Sequence, residues 1–214
     1  EGSASALQWA PNGEHYAVAL APTPLIDDHY MSRDLFVVST EKAKIRNEMG
    51  LVGKLGDFAW SPDGQRIAWI GAEDINDPKE GRLYVASARG GERVELLPAY
   101  GGHINGFYWS DNDRIFWLGH RGVWSETGSV AVSQPREVPG EPEPGPIVRS
   151  VSAWPGLQAA AAIADTPQHP PEVYLLQQGA EPKRLTNSNP ILAERSLAQQ
   201  DVVTFNARDG MELE

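Results

Sequence analysis

The chain has 214 residues, with 18 Lys and Arg against 29 Asp and Glu, so its formal charge is −11 and its acidic surface repels nucleic-acid phosphates. Cysteine is absent, which excludes disulfides, thiolate catalysis and metal sites built on cysteine. Because no apolar run approaches the ~20 residues of a membrane-spanning helix, we expect a soluble chain with neither a membrane nor a nucleic-acid partner.

Turn-forming residues are in excess. The 21 glycines and 17 prolines make up close to 18% of the chain, against ~12% in average proteins, and predict many short elements separated by turns. The chain starts at Glu1 rather than at a methionine and stops inside an alternating pattern, so we expect it to be a portion of a longer polypeptide. The lack of cysteine leaves the compartment open between cytoplasm and periplasm.

A tryptophan followed by a tight-turn signal recurs four times, at steps of 51, 49 and 45 residues. Proline fixes φ at the first central turn position, Asp or Asn suits the second, and glycine adopts the left-handed conformation that lets a strand return on itself. Each anchor therefore predicts a hairpin between the first two strands of a unit. The anchors are Trp9-Ala10-Pro11-Asn12-Gly13, Trp60-Ser61-Pro62-Asp63-Gly64, Trp109-Ser110-Asp111-Asn112-Asp113 and Trp154-Pro155-Gly156.

Further strands follow each anchor, bounded by turn residues. The alanines of 157–164 favour a helix by propensity, but their place after the fourth anchor predicts a second strand. The second predicted strands cover 16–21, 66–71, 114–119 and 157–164, the third strands 34–37, 82–85, 122–125 and 172–175, and the fourth strands 93–97 and 182–186.

Four strands per unit at a period of 45 to 51 residues are typical of β-propeller blades. We therefore predict an all-β fold, a β-propeller of about four four-stranded blades, since the turns interrupt the apolar spacing that helical repeats need. The blades lie at approximately 1–50, 51–99, 100–147 and 148–187. After them, the sequence predicts a short helix at 189–196, a strand at 201–206 and a turn at 208–210.

Loops of unequal length connect second and third strands, at 22–33, 73–81, 120–122 and 165–171, and crowd one rim where a binding surface can vary. The densest polar cluster there, Asp27-Asp28-His29 with Asp34, suits a metal or amino-group contact, but we prefer a solvated acidic loop. Asp74-Ile75-Asn76-Asp77 begins like a calcium loop yet lacks its glycine at position six and glutamate at position twelve. We predict no metal and no cofactor.

The sequence lacks the motifs of catalysis. It contains no G-x-S-x-G elbow, no Walker loop and no G-x-G-x-x-G, and the glycines of 50–56 have the wrong spacing for a nucleotide loop. Five histidines are scattered without paired spacing. Seven tryptophans could form a stacking platform, but four are repeat anchors, and packing between adjacent blades explains the set. We therefore predict no catalytic residue in this chain.

The hairpins at 9–13 and 60–64, each followed by a strand of the Arg82-Leu83-Tyr84-Val85 type, resemble the propeller repeats of the prolyl oligopeptidase family and of Tol-system propellers. The C-terminal tail favours the prolyl oligopeptidase family. Arg184-Leu185-Thr186-Asn187, Asn189-Pro190 and the segment 202–214, with its Arg208-Asp209-Gly210 turn, are similar to the exit from the last blade into the peptidase domain of dipeptidyl and acylaminoacyl peptidases. The resemblance covers essentially the whole chain.

The resemblance implies a non-catalytic part of a serine peptidase. The chain would supply the C-terminal blades of a seven- or eight-bladed ring, with 188–214 as the linker and first strand of an α/β-hydrolase domain that holds the catalytic residues. In the family the propeller caps the active site, admits short peptides and contributes substrate contacts. The implied partners are peptide substrates and a hydrolase domain of the same polypeptide, and the substrate-facing candidates are His29, Tyr30 and Arg33.

Alternatives stay open. A Tol-type propeller would be a docking platform for another protein. An independent four-bladed lyase-like or sugar-binding propeller would need convergent histidines or carboxylates near its axis, and the sequence indicates none. A partial ring would leave two open blade faces, and exposed apolar sheet faces favour self-association with a second copy.

Overall fold

The computed structural model describes residues 2–138, 140–153, 159–177 and 179–213. The predicted all-β class is confirmed, because the described chain forms four successive antiparallel sheets in which consecutive strands are neighbours, followed by a small hairpin. The chain divides into two compact units, 1–117 with 129–138 and 118–128 with 139–214.

The strands follow the predicted meander order. The first sheet contains β1 (Ser3–Trp9), β2 (His15–Ala21), β3 (Asp34–Ser39) and β4 (Lys44–Glu48), with the helix α1 (Ile26–Met31) between β2 and β3. The second contains β5 (Leu55–Trp60), β6 (Arg66–Gly71), β7 (Arg82–Ser87) and β8 (Val94–Glu95). The third contains β9 (His103–Trp109), β10 (Arg114–Arg121) and β11 (Trp124–Ala131). The fourth contains β12 (Ile147–Ala153), β13 (Ala159–Thr166), β14 (His169–Gln177) and β15 (Ala180–Arg184). A 3-10 helix (Pro190–Glu194), β16 (Phe205–Asn206) and β17 (Glu212–Leu213) complete the described chain.

The predicted turns at the first two anchors are confirmed. Gly13 and Gly64 have φ of 70° and 68°, the left-handed conformation that the hairpin requires. In the second turn the Ser61 N–H donates to the Arg66 carbonyl at 2.9 Å, and the buried Ser61 hydroxyl donates to Asp63 at 2.6 Å. The fourth anchor, Trp154-Pro155-Gly156, lies outside the described residues, whereas the described part of the alanine run is the strand β13.

Several elements differ from the sequence-based expectation. The loop 22–33 contains α1, because the Thr23 hydroxyl bonds both Asp28 and the Leu25 N–H and fixes the entry to a helical turn. The loop 165–171 is instead a tight turn between β13 and β14, in which the His169 N–H donates to the Thr166 hydroxyl at 3.1 Å. β8 covers only Val94–Glu95, and the strand predicted at 201–206 is reduced to Phe205–Asn206.

The third sheet has three strands among the described residues, not the expected four. The chain after β11 bonds to other segments instead. The Val132 N–H donates to the Asp113 carbonyl at 2.7 Å, and the Arg136 N–H donates to the Leu96 carbonyl at 3.1 Å. The first bond extends the pairing of β10 with β11, and the second joins the chain after β11 to the end of the second sheet.

Buried tryptophans fill the space between successive sheets. In the first core, Trp60 and Trp69 of the second sheet pack against Ala17 and Ala19 of the first, whose small side chains leave room for the indoles. A second core joins the second and third sheets around Ile104, Trp109 and Trp117. A third, smaller core lies in the other unit and contains Leu118, Val148, Ala162, Ala164 and Tyr174.

The expectation that the tryptophans pack between blades is correct for Trp60, Trp69, Trp109 and Trp117, which are at most 8% exposed. It is wrong for Trp9, which is 62% exposed because no sheet of the described chain packs on the face of the first sheet that carries Trp9. Within the described residues no helix has both the length and the apolar character needed to cross a membrane.

Candidate functional site

Two connections between second and third strands lie at the same end of the first unit. Residues 22–33 join β2 to β3, and residues 73–81 follow β6. The Arg33 guanidinium at the end of the first connection donates to the Leu55 carbonyl, and Leu55 pairs with Gly71 at the start of the second. Adjacent blades therefore place these two loops side by side, as the repeat predicts.

His29 and Tyr30 are carried by the single turn of α1. Their rings are in edge-to-face contact with centroids 6.3 Å apart, and the Tyr30 side chain is 58% exposed. Asp27 and Asp28 lie in the first turn, where carboxylates interact favourably with the helix dipole. The structure therefore brings two of the three predicted site residues together on an accessible surface.

Arg33 is placed differently from His29 and Tyr30. Its guanidinium donates to the Ser5 hydroxyl at 3.3 Å and to the Leu55 carbonyl, so it joins β1 to the second sheet. Its Nε is buried without a hydrogen-bond partner among the described residues, and burial lowers the pKa of the side chain. Arg33 therefore holds the end of the loop in place rather than projecting from it.

The second loop is held by ion pairs and an Asx turn. Lys79 lies 3.6 Å from Glu73 and 3.7 Å from Asp74, and the Lys54 ammonium lies 3.7 Å from the Asp77 carboxylate. The Asn76 N–H donates to Asp74 at 2.7 Å and, with the nearby Lys79, keeps the pKa of Asp74 below its usual range. These carboxylates are occupied by the chain's own donors, as expected of a structural loop.

Large apolar side chains are exposed on both of these loops. The side chains of Leu25, Ile26, Tyr30 and Ile75 are 58–72% exposed although each is large and apolar, and we call these four residues the rim patch. Clusters of this kind on an otherwise acidic surface are typical of binding sites. Of these four residues the sequence indicates only Tyr30 as a site candidate, because the single signal at Leu25, Ile26 and Ile75 is an apolar residue inside a predicted loop.

The polar cluster around α1 has structural roles. Asp34 accepts hydrogen bonds from the backbone N–H groups of Leu35, Gly50 and Leu51 at 2.7–3.1 Å, which fixes the turn after β4. Asp28 is bonded to Thr23. In the described part of the chain, no group of three or more His, Asp or Glu side chains is arranged to hold a metal ion.

A cleft of about 540 Å³ lies between the first and second sheets, near the two anchor hairpins. Its lining includes Trp60, Glu14, His15, Arg46 and Arg89. The volume lies within the range of small-molecule and peptide sites, ~300–1,000 Å³. The mixed charges of the lining suit polar contacts more than an apolar ligand.

In the second unit, Glu172 anchors the chain that leaves the fourth sheet. Its carboxylate accepts hydrogen bonds from the Thr186 hydroxyl and from the N–H and hydroxyl of Ser188, the latter two at 2.6 and 3.0 Å. These hydrogen bonds lower the pKa of Glu172, and the bond from Thr186 has the largest effect. The Leu185-to-Ser188 stretch is thereby fixed against β14.

Comparison with known proteins adds the family context. No protein-family model matches the chain. Dipeptidyl-peptidase 5 of Porphyromonas gingivalis is 27% identical over 116 residues, which are 52% of this chain and 17% of that protein. The acylaminoacyl peptidase of Pyrococcus horikoshii superposes with a TM-score of 0.65 at 16% identity, over 99% of this chain and 31% of its own.

A TolB-like protein from Agrobacterium tumefaciens superposes with a TM-score of 0.60 at 16% identity, over 87% of this chain and 63% of its own. The chain thus spans less than two thirds of the length of each of these relatives. The structural likenesses and the four successive sheets confirm a β-propeller fold. In sequence and in fold the chain resembles the propeller portion of a prolyl oligopeptidase-family peptidase of the dipeptidyl or acylaminoacyl type.

Proposed function

We propose that this segment is a non-catalytic propeller that gates and contacts short peptides on their way to the active site of a serine peptidase domain in the same polypeptide. The observation that carries the proposal is the rim patch, an exposed apolar surface on loops that ion pairs and Arg33 hold in place. The likeness to dipeptidyl-peptidase 5 and acylaminoacyl peptidase supports the peptide as its ligand.

In this proposal Tyr30 and His29 contact the peptide, and Arg33 is a positioning residue. Tyr30 offers an apolar ring with a polar hydroxyl, which suits peptides that combine apolar side chains with backbone donors and acceptors. Arg33 acts through its bonds to Ser5 and Leu55, which set the position of α1. A preformed rim loses less conformational entropy on binding than a flexible loop would.

The rim is tested by peptide binding to the purified chain. Fluorescence anisotropy of labelled apolar tetrapeptides should report saturable binding that Ile26→Ser and Tyr30→Ser each weaken several-fold. Leu185→Ser is the matched control, since Leu185 is 53% exposed but lies at the end of the fourth sheet. Equal affinity in the rim variants and the control would contradict a peptide site at the rim.

The tail supports a connection to a hydrolase domain. Val203, Phe205 and Met211 are 58–69% exposed, and β16 and β17 form an isolated two-stranded hairpin, which is only marginally stable by itself in water. We propose that residues 188–214 are the linker and first strand of that domain. Sequencing the coding region beyond residue 214 tests this, because a G-x-S-x-G elbow is expected within the next few hundred codons and an early stop codon would refute it.

The chain alone should lack peptidase activity, since the catalytic residues of this proposal belong to the hydrolase domain. Turnover of a peptidyl chromogenic substrate should be at background level and insensitive to a fluorophosphonate. Fluorophosphonate-sensitive turnover by the purified chain would overturn the non-catalytic role.

A protein-docking function is the second candidate, and the cleft between the anchor hairpins favours it. Arg46 and Arg89 line that cleft and form no ion pair within the described residues, so they are available to an acidic partner segment. The likeness to TolB-like propellers supports this alternative. If Arg46→Gln weakens binding of an acidic peptide while Tyr30→Ser has no effect on any peptide, docking is the better description.

A further inference from the structure

The cleft of about 540 Å³ lies at the opposite end of the sheets from the rim patch. β2 begins at His15, beside the first anchor hairpin, and ends at Ala21, where the loop 22–33 starts. His15 and Gly64 line the cleft, and its lining includes no residue of the rim patch or of the two loops that carry it. The cleft and the rim are therefore separate surfaces.

Arg46 and Arg89 both line this cleft, and we call them the arginine pair. Within the described residues, their guanidinium groups have no hydrogen bond, ion pair or ring contact, unlike the other arginines of the first unit. Those with such a contact are Arg33, Arg66, Arg82, Arg93, Arg114 and Arg136. Because a guanidinium is always charged and carries five donors, two of them without an acceptor in one cleft favour an anion.

The backbone brings the arginine pair to one place. Arg46 is the extra residue of a β-bulge in β4, where the register with β3 shifts after Val37, and bulges redirect side chains. Arg89 lies in the turn between β7 and β8. The next residue, Gly90, approaches the first sheet so closely that a Cβ there would lie 2.8 Å from the Asn47 Oδ1. Each arginine thus directly precedes one of two residues that meet across the two sheets.

The carboxylates that line the cleft have donors from the chain itself. Asp63 accepts hydrogen bonds from the Ser61 hydroxyl at 2.6 Å and from the Gln65 N–H at 3.0 Å. Glu14 accepts one from the Asn12 side-chain amide at 3.3 Å. Neither carboxylate forms an ion pair with the arginine pair. The guanidinium donors are therefore left to an anion from outside the described chain.

The buried part of the lining is apolar. Val37, Trp60 and Ala88 are at most 8% exposed. The Trp60 indole N–H is already bonded to the Gln8 carbonyl, so its ring offers apolar surface to a ligand. A cleft of this volume suits an organic molecule rather than an inorganic ion. The lining therefore matches a ligand that combines an anionic group with an apolar one.

We propose that the cleft binds a carboxylate attached to an apolar group, with the arginine pair on the carboxylate and Val37, Trp60 and Ala88 against the apolar group. Guanidinium groups bind carboxylates through two parallel N–H···O bonds, which makes this pairing strong and specific. Two sources have this chemistry, the C-terminus of a peptide that ends in an apolar residue and a small apolar acid. Binding at this cleft does not rest on the proposed gating role at the rim.

Nuclear magnetic resonance titration of the isotope-labelled chain tests the site, read at the backbone amides of Gly64 and Gly90. N-acetyl-alanyl-alanyl-leucine should shift both amides saturably. Its C-terminal amide should bind about tenfold more weakly or worse, because the charge that the arginines bind is removed. Arg46→Gln and Arg89→Gln should each weaken the free acid several-fold. Arg195→Gln is the matched control, because it removes the same charge from an exposed position in the second unit.

Isocaproate, the leucine skeleton without its nitrogen, identifies the source of the carboxylate. Tighter binding of isocaproate than of the tripeptide assigns the cleft to a small acid, and the reverse assigns it to a peptide C-terminus; both results support the carboxylate site. No saturable shift with either ligand, equal affinity for acid and amide, or wild-type affinity in both arginine variants would overturn it. An amidated glutamate peptide that binds as tightly as the free acid would overturn it in favour of an acidic partner segment.

The same titration separates this site from the proposed peptide site at the rim. The backbone amide of Ile75 reports the rim, and Ile26→Ser should leave the shifts at Gly64 and Gly90 unchanged, because the two surfaces lie at opposite ends of the sheets. Shifts confined to Ile75 would support the gating role and overturn the carboxylate site. Shifts confined to the cleft would do the opposite. Circular dichroism checks that every variant is folded.

Discussion

Loss of the indole nitrogen should have opposite effects on the free energy of unfolding at two buried tryptophans of the second core. Trp109 and Trp117 are 7% and 2% exposed, so burial alone ranks Trp117 as the more sensitive. The Trp109 N–H donates to the Ala59 carbonyl at 3.1 Å, whereas the Trp117 N–H is buried without a hydrogen-bond partner in the described part of the chain. Replacing each residue by phenylalanine keeps an aromatic ring and removes this nitrogen.

The expected difference in unfolding free energy between the two variants follows from whether each indole N–H is hydrogen-bonded. Both variants lose the same atoms and create a similar cavity, so that cost largely cancels in the comparison. Trp109→Phe also loses a hydrogen bond that contributes ~0.5–1.5 kcal/mol, while Trp117→Phe removes an unpaired buried donor that costs ~1–3 kcal/mol. The Trp109 variant should therefore be less stable than the Trp117 variant by ~2 kcal/mol, or by ~4–8 °C in Tm.

Urea unfolding followed by far-ultraviolet circular dichroism measures the difference, at one protein concentration at which both variants have the same oligomeric state. Trp124→Phe is a control for loss of an indole from a partly exposed position. A Trp117→Phe variant that is less stable than Trp109→Phe would refute the reasoning, because burial rather than hydrogen bonding would then set the cost.

Three further predictions concern the loops and the chain exit. Gly53→Ala should destabilise the fold by at least ~3 kcal/mol in thermal unfolding, because φ is 70° and a Cβ would collide with the Asp74 carbonyl, whereas Gly13→Ala, with the same φ and open space, should cost only ~1 kcal/mol. Equal costs would contradict the close approach of Gly53, in the connection between β4 and β5, to the 73–81 loop. Arg33→Met should cost ~1–2 kcal/mol and speed hydrogen exchange in α1, and unchanged exchange would argue against its positioning role. The lowered pKa of Glu172 means that its stabilising contribution is present above the ordinary glutamate pKa and is lost as pH falls through the folded-state value. Unfolding measured from neutral to acidic pH should therefore show a loss of stability on acidification that is smaller in Glu172→Gln, and identical pH profiles would be inconsistent with the three hydrogen bonds.

The repeat, and with it the fold class, can be read from the amino-acid sequence alone. Trp9, Trp60 and Trp109 are followed by turn residues whose φ preferences are local properties, so the hairpins could be read without knowing what surrounds them. The alternating residues of β2 and the short apolar runs of β6 and β10 are equally local signals. The strand predicted at 157–164 is confirmed for its described part, which belongs to β13, because the period outweighed intrinsic helix propensity.

Which of the repeated residues are buried and which are exposed depends on the packing of the sheets against one another. Trp9 and Trp60 occupy the same place in their units, yet one is 62% exposed and the other 8%, because burial depends on whether a neighbouring sheet is present. Arg33 is close to His29 and Tyr30 in sequence, but its guanidinium is hydrogen-bonded to the Ser5 hydroxyl and the Leu55 carbonyl, which lie far away in the chain. The rim patch likewise required the pairing of Leu55 with Gly71, which brings together loops that are some forty residues apart in the chain.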